Sequence, residues 1–273
     1  MPTLTSPSNP KLRWVRRLAG DRRARREEGL WVAEGTRLAL EVLGEGPAVR
    51  LWLFEEGWGE EGGSEARVRS GAQARGDEVL EVKRGLLREV ADTQNPQGVL
   101  VVFQAPTGTP DQALLAPGPV VLLDRVQDPG NLGTIARTAE GAGAAGLLLT
   151  PGCADPGGPK ALRASAGALL RLPAAWVDDP LPALRRSARP VYATAGEGGA
   201  AYDQADLSCP FALLLGQEGT GVAPRLSRAA DRVLTIPMAG RLESLNVAAA
   251  AAVILFEAAR QRRLAEGSRE EAP

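Results

Sequence analysis

The sequence predicts a two-domain α/β protein, and three observations carry that expectation. From residue 120 onward, short apolar runs alternate with helical patterns, which implies a parallel sheet covered on both faces. A smaller mixture of helical and extended patterns occupies residues 1–105. Between the two, Pro106, Gly108, Pro110, Pro117, Gly118 and Pro119 crowd together, so residues 106–118 read as a linker.

In the first domain, Lys11–Leu18 and Thr36–Leu43 carry helical spacing, whereas Val49–Phe54, Glu78–Val82 and Val99–Phe103 read as strands. Glu56 to Gly63 mixes glycines with charges and offers no apolar face, so it reads as a loop. Gly85–Val90 reads as a short helix, and Asp111–Leu115 as another inside the linker. In the second domain, 119–263, strands are expected at Val120–Leu123, Gly146–Leu149, Val191–Thr194, Phe211–Leu215 and Val233–Ile236. Helices are expected at Leu132–Ala142, Pro159–Leu170, Pro182–Ala188 and Ala223–Ala230. Pro159 and Pro224 suit a first helical turn, where a missing N–H costs nothing. A last helix, Val247 to Arg263, is apolar nearly all round at its start, which points to burial in a core or a subunit interface. Arg260, Arg262 and Arg263 complement its dipole. Residues 264–273 lean acidic and read as a disordered tail.

Composition removes whole classes of chemistry. The chain of 273 residues is 44% hydrophobic, enough for a core in each domain. Its longest apolar run, Val247 to Phe256, is half the ~20 residues a membrane-spanning helix needs. The N-terminus shows no signal pattern, so a cytoplasmic protein without membrane attachment is expected. There is no histidine, which excludes serine–histidine triads and histidine-ligated zinc. Two cysteines, Cys153 and Cys209, make neither a disulfide framework nor a thiolate metal site, so no metal is expected.

The net charge is only −1, but it is unevenly spread. Lys11, Arg13, Arg16, Arg17, Arg22, Arg23, Arg25 and Arg26 oppose Asp21 alone, with Trp14 and Trp31 close by. The plain reading is a solvated helix face. Arginine with aromatics also suits phosphate contacts and base stacking, which makes these eight residues candidates for binding RNA.

Gly141-Ala142-Gly143-Ala144-Ala145-Gly146 matches a dinucleotide fingerprint, but it closes a helix and feeds a strand. The fingerprint needs the reverse order, so this is read as a helix stop and turn. Three other segments sit at strand ends, where ligands of parallel sheets bind. The first, Leu123-Asp124-Arg125-Val126-Gln127-Asp128-Pro129-Gly130-Asn131-Leu132-Gly133-Thr134-Ile135-Ala136-Arg137, places Asn131 as a helix N-cap and Arg137 inside the helix. The second, Leu215-Gly216-Gln217-Glu218-Gly219-Thr220-Gly221, sets three glycines around one carboxylate, where backbone can approach a ligand closely. The third, Ile236-Pro237-Met238-Ala239-Gly240-Arg241-Leu242-Glu243-Ser244-Leu245-Asn246, runs through a glycine turn to two polar residues at the head of the last helix. Ser244 and Asn246 both suit capping.

Taken together and in this order, the three segments resemble the signature motifs of the SpoU (TrmH-type) RNA 2′-O-ribose methyltransferases, in the SPOUT superfamily. The resemblance covers residues 120–262. Leu4-Thr5-Ser6-Pro7-Ser8-Asn9-Pro10-Lys11, Trp31-Val32-Ala33-Glu34-Gly35 and Pro96-Gln97-Gly98-Val99 resemble the family's substrate-binding domain, which is similar to ribosomal proteins that bind kinked RNA. The resemblance implies a catalytic domain with a deep trefoil knot, which the usual rule against threaded loops does not anticipate. It implies S-adenosylmethionine as cofactor, held near Thr194, Gly196, Leu215, Gly216, Ile236, Met238 and Leu245. It implies catalytic roles for Asn131, Arg137, Glu218, Ser244 and Asn246, and a homodimer packed through the knot region. Ala248 departs from the pattern, standing where relatives often have a small polar residue. The family's arginine is credited with taking the hydroxyl proton; a guanidinium is ordinarily only a donor. Arg137 clamping a phosphate, or proton loss to water or Glu218, are therefore the other readings. Ribosomal RNA is the expected substrate. Transfer RNA, a base methyltransferase, and a non-catalytic RNA-binding or ribosome-assembly protein on the same fold are the alternatives.

Overall fold

The computed structural model describes residues 3–106 and 108–270. The chain forms two compact units, Met1–Pro106 with Asp155–Leu170, and Thr107–Ala154 with Arg171–Pro273.

The chain begins with β1 (Thr3–Leu4), α1 (Pro10–Gly20), α2 (Arg22–Glu28), β2 (Leu30–Glu34), α3 (Thr36–Glu45), β3 (Val49–Glu55), α4 (Gly63–Ala74), β4 (Val79–Val82) and β5 (Val99–Gln104). The five strands form one sheet in the order β1-β4-β3-β5-β2, with β5 antiparallel to both its neighbours. Asn9 caps α1 by accepting from the Lys11 amide, and Asp21 caps α2 by accepting from that of Arg23. Leu12, Val15 and Leu18 of α1 pack on Leu51, Leu53 and Val102 of the sheet, all essentially buried. Trp52, Phe54 and Trp58 stack in sequence on one another. Gly85–Val90 resolves into a 3₁₀ turn over Leu86–Glu89.

The chain continues through α5 (Pro110–Leu115), β6 (Val120–Asp124), α6 (Pro129–Gly141), β7 (Gly146–Leu149), α7 (Pro159–Ser165), α8 (Ala168–Arg171), β8 (Ala174–Trp176) and α9 (Leu181–Ser187). It ends with β9 (Val191–Thr194), β10 (Ala200–Ala201), β11 (Ala212–Gly216), α10 (Pro224–Ser227), β12 (Arg232–Thr235) and α11 (Val247–Glu270). Seven strands form an all-parallel sheet in the order β10-β12-β9-β11-β6-β7-β8. Its central strands β6, β7 and β11 are buried along their whole length, as a sheet covered on both faces requires. The helix α11 runs on through 264–270, where the sequence suggested disorder; 271–273 lie outside the described residues. Among the described residues, no helix is long and apolar enough to cross a membrane.

Asp155–Leu170 follows β7 in the chain but belongs to the first unit. The expected helix Pro159–Leu170 is split there by Ala166 (φ 51°) and Gly167 (φ 94°). A Cβ on Gly167 would stand 2.8 Å from Glu41 Cγ, so only glycine lets the segment lie so close to α3. Gly157 fits as tightly against Trp31, where a Cβ would meet the indole nitrogen at 2.2 Å.

The same segment decides the role of Arg25. That side chain is 6% exposed, its Nε donating to Asp155 Oδ2 at 2.8 Å and its Nη1 to the carbonyls of Leu18 (2.6 Å) and Ala19 (2.9 Å). It closes the end of α1, so Arg25 is a structural cation and not one of the RNA-facing ones expected from the basic run. Asp155→Ala leaves that guanidinium buried and half-paired. It is expected to cost about 3–5 kcal/mol in chemical denaturation. A loss under about 1 kcal/mol would show that the pair behaves like an exposed one.

Candidate active site

The site is assembled where β6, β11 and β12 end. Motif geometry starts with Asp128, whose carboxylate accepts from the Asn131 amide at 2.8 Å and so caps α6. This corrects the expectation that Asn131 is the cap. Asn131 is the third residue of the helix, and its amide side chain is left free to project toward the site. There Nδ2 donates to Glu218 Oε1.

Glu218 sits in a tight loop after β11. Gly221 N donates to Gln217 O at 2.8 Å, while Gly219 (φ 85°) and Gly221 (φ 66°) take the left-handed backbone this turn requires. At the loop's base, a Cβ on Gly216 would stand 2.0 Å from the Gly221 carbonyl carbon.

Asn246 completes the group. Its Oδ1 caps α11 by accepting from the amides of Ala248 (2.9 Å) and Ala249 (3.4 Å). Its Nδ2 donates to Glu218 Oε1 at 3.1 Å and to Asn131 Oδ1 at 3.2 Å. Two carboxamides from two helices thus hold one oxygen of one carboxylate, and each amide orientation is fixed by the bonds it makes.

Beside Glu218 lies a cleft of about 430 Å³, a size that suits a nucleoside-sized ligand. Of the residues the sequence assigned to a cofactor, Thr194, Gly196, Leu215, Gly216, Ile236 and Leu245 line it and Met238 does not; Ser244, assigned a catalytic role, lines it too. Leu234, Val247 and Ile254 extend its apolar wall, and Glu197 and Glu243 add carboxylates to its rim. None of these five was singled out from the sequence, although each lies within a few residues of a motif or in the last helix. The hydroxyl of Thr194 is spent on Leu214 O (3.0 Å), and Thr235 Oγ1 donates to Gly196 O (2.9 Å), which fixes the backbone on that side.

Arg137 is not brought into this group. It is exposed on α6, and six residues of helix carry it about 9 Å along the axis and onto another face from Asn131. Of the basic run, Lys11 pairs with Glu78, Arg16 with Glu89, Arg17 with Glu28 and Arg23 with Glu27. All four arginine and lysine side chains remain largely exposed, and such pairs are weak enough to exchange for phosphate. Arg13 and Arg26 are exposed, and Arg22 is half-buried. Burial pushes the Cys153 thiol up; its Sγ lies 3.2 Å from Leu123 O.

Among known proteins, the model of the SpoU rRNA Methylase family matches residues 118–256, and that of the MRM3-like substrate binding domain matches residues 9–101. The chain is 32% identical to RlmP of Bacillus subtilis, a 23S rRNA guanosine 2′-O-methyltransferase, over 94% of this chain and 98% of that one. A crystal structure of AdoMet-bound rRNA methyltransferase from Sinorhizobium meliloti superposes with a TM-score of 0.84 at 34% identity, covering 94% and 97% of the two chains. The SpoU methyltransferase AviRb from Streptomyces viridochromogenes, in complex with AdoMet, gives 0.80 at 31% identity, covering 93% and 98%.

The cap and the close approach can be separated by stability. Asn246→Ala is expected to cost about 1 kcal/mol in thermal denaturation, the usual worth of an N-cap. Asn246→Asp keeps the cap oxygen and should recover most of that loss, less the repulsion from Glu218. Equal losses in the two variants would mean that capping is not what Asn246 contributes to folding.

Proposed function

Because the chain belongs to the SpoU rRNA methylase family, we propose that it transfers the methyl group of S-adenosylmethionine to a ribose 2′-hydroxyl of ribosomal RNA. It is an S-adenosylmethionine-dependent RNA 2′-O-ribose methyltransferase; ribosomal RNA as the substrate rests on relatives that act there. The observation that carries the reading is the carboxylate of Glu218, held by Asn131 and Asn246 at the mouth of the cleft.

The cleft fits the cofactor. Leu215, Leu234, Ile236, Leu245 and Ile254 give an apolar enclosure for an adenine, and the backbone at Gly196 and Gly216 offers close polar groups. Bound there, S-adenosylmethionine supplies an electrophilic methyl on a sulfonium, which a nucleophile must attack in line. The chain's own part is to align the hydroxyl, a contribution that can reach ~7–11 kcal/mol of barrier. Asn131 and Asn246 fix Glu218 Oε1, which leaves Oε2 to accept a hydrogen bond from the attacking hydroxyl and its proton as the bond forms. Ser244 faces the same cleft and is assigned to orienting substrate or cofactor.

Arg137 is assigned to a phosphate beside the reacting ribose. Its distance from the cluster of its own chain fits an arrangement in which a second copy completes the site. An exposed apolar side chain supports that homodimer: Phe256 is 51% exposed on α11, next to Gly141 of α6. Sheet order supports the knotted SPOUT arrangement, since β11 and β12 are laid down on opposite sides of the earlier β9. A cytoplasmic location is part of the same proposal. We assign the exposed cations Lys11, Arg13, Arg16, Arg17, Arg23 and Arg26 of the first unit, with the half-buried Arg22, to RNA phosphates, which would make binding salt-sensitive.

The test is transfer of labelled methyl from S-adenosylmethionine to ribosomal and transfer RNA taken from cells lacking the gene. Label is expected in a 2′-O-methylated nucleoside of ribosomal RNA. Glu218→Gln is expected to lower turnover on the order of 10²-fold with cofactor binding intact, and Arg137→Ala to abolish labelling. Label on a base, or in transfer RNA alone, would overturn the ribosomal ribose assignment. Near-normal turnover by Arg137→Lys would remove any bidentate role for that arginine.

A further inference from the structure

The carboxyl edge of the parallel sheet carries a second concavity that the motifs do not account for. It encloses about 370 Å³ between the start of α9 and α10, and its polar lining is Asp179, Arg185, Arg225 and Arg228. Arg225 Nη2 donates to Asp179 Oδ2 at 2.7 Å, so the one carboxylate present is already satisfied. That hydrogen bond, with the fields of Arg225 and Arg185, holds the Asp179 carboxyl below its ordinary range. Arg185 and Arg228 are exposed, and their side chains have no hydrogen bond or ion pair among the described residues. Neighbouring arginines are spent elsewhere: Arg186 reaches Asp111 at 3.6 Å, and Arg189 donates to the carbonyls of Gly118 (2.6 Å) and Ala116. Three guanidinium groups therefore face one concavity against a single carboxylate.

The place of this concavity in the chain matters. The helix α10 begins at Pro224, directly after the loop that carries Glu218, and the intervening Ala223 amide is tied to Asp124 Oδ2 at 2.7 Å. One short stretch of backbone thus links the carboxylate assigned to the reaction with Arg225 and Arg228. Guanidinium forks match phosphate oxygens, and phosphates lie at every nucleotide of an RNA strand threaded past the site.

We propose that Arg185, Arg225 and Arg228 form a phosphate-binding site of the catalytic unit that holds a backbone phosphate of the substrate RNA. The proposal rests on the reading of this protein as an RNA methyltransferase. It adds a second anchor, distinct from the basic run of the first unit, that would strengthen the hold on the strand passing Glu218.

The test uses the full chain and the double variant Arg185→Ala/Arg228→Ala, whose side chains make no hydrogen bond or ion pair among the described residues. Ribosomal RNA from cells lacking the gene is titrated at several salt concentrations, and methyl transfer is followed in parallel. The double variant is expected to raise KM for RNA about tenfold and to lower the slope of log K against log salt by about one unit per arginine. Its kcat, cofactor affinity and melting temperature should match wild type. Arg185→Lys/Arg228→Lys should keep most of the slope, which a purely structural role would not distinguish. An unchanged KM and salt slope in the alanine variant would overturn the proposal. So would inorganic phosphate binding lost in the variant while RNA binding is unaffected, since the site would then serve a free anion. If wild type labels no RNA, the enzymatic reading fails by itself, and the binding slopes still decide the fate of the arginine site.

Discussion

The buried carboxylate of Asp124 is the interaction on which the second unit's working edge depends. It ends β6 at 4% exposure, a position where an unpaired charge would be costly. Its Oδ2 accepts from the Ala223 amide at 2.7 Å, and its Oδ1 from Thr150 Oγ1 at 3.2 Å, while the guanidinium of Arg125 covers it at 3.2–3.3 Å. Thr150 follows β7 and Ala223 ends the Glu218 loop, so one side chain gathers the ends of three strands. Arg125 takes the left-handed backbone (φ 58°) in doing so, held there by its amide bond to Thr150 Oγ1 at 3.1 Å. A non-glycine residue in that region carries strain that surrounding contacts must offset.

The amides of Asn131 and Asn246 depend on that frame. Each residue meets Glu218 from a different helix start, and those starts are set by where β6 and β12 stop. Asp128 takes over the capping of α6, which releases the side chain of Asn131 for the site. Asn246 performs both tasks at once, since its oxygen caps α11 while its nitrogen holds Glu218. The division is economical in polar groups: among the donors and acceptors of these two amides, most meet a fixed partner, and on Glu218 it is Oε1 that they hold.

Much of this was legible in the sequence, for identifiable reasons. The strands β6, β7, β9 and β11 read as apolar runs because both faces of a parallel sheet are buried. The motif loops stood out because glycines and polar residues follow such runs directly. What escaped was mostly structure without an apolar signal, although the short buried strand β2 went unread as well. The helix α2, Arg-Arg-Ala-Arg-Arg-Glu-Glu, buries only Ala24 and Arg25, so it looked like an exposed basic stretch and hid a structural arginine. The strands β8 and β10, of three and two residues, are too short to show alternation. Asp124 stood in the first motif segment without a role, because its partners Thr150 and Ala223 are 26 and 99 residues away and only the fold brings them together. Arg137 was legible as a motif residue, but helix geometry separates it from Asn131.

The isosteric change Asp124→Asn is the most direct measurement of whether this frame sets up the site. It keeps the shape of the side chain but turns one acceptor into a donor facing either Ala223 N–H or the Thr150–Arg125 pair, at a cost of about 1–3 kcal/mol. The circular dichroism of the folded sheet should survive, while S-adenosylmethionine affinity and methyl transfer fall together, because the Glu218 loop loses its tie. A folded variant with wild-type cofactor affinity and turnover would contradict this view and show that the loops hold their geometry without Asp124.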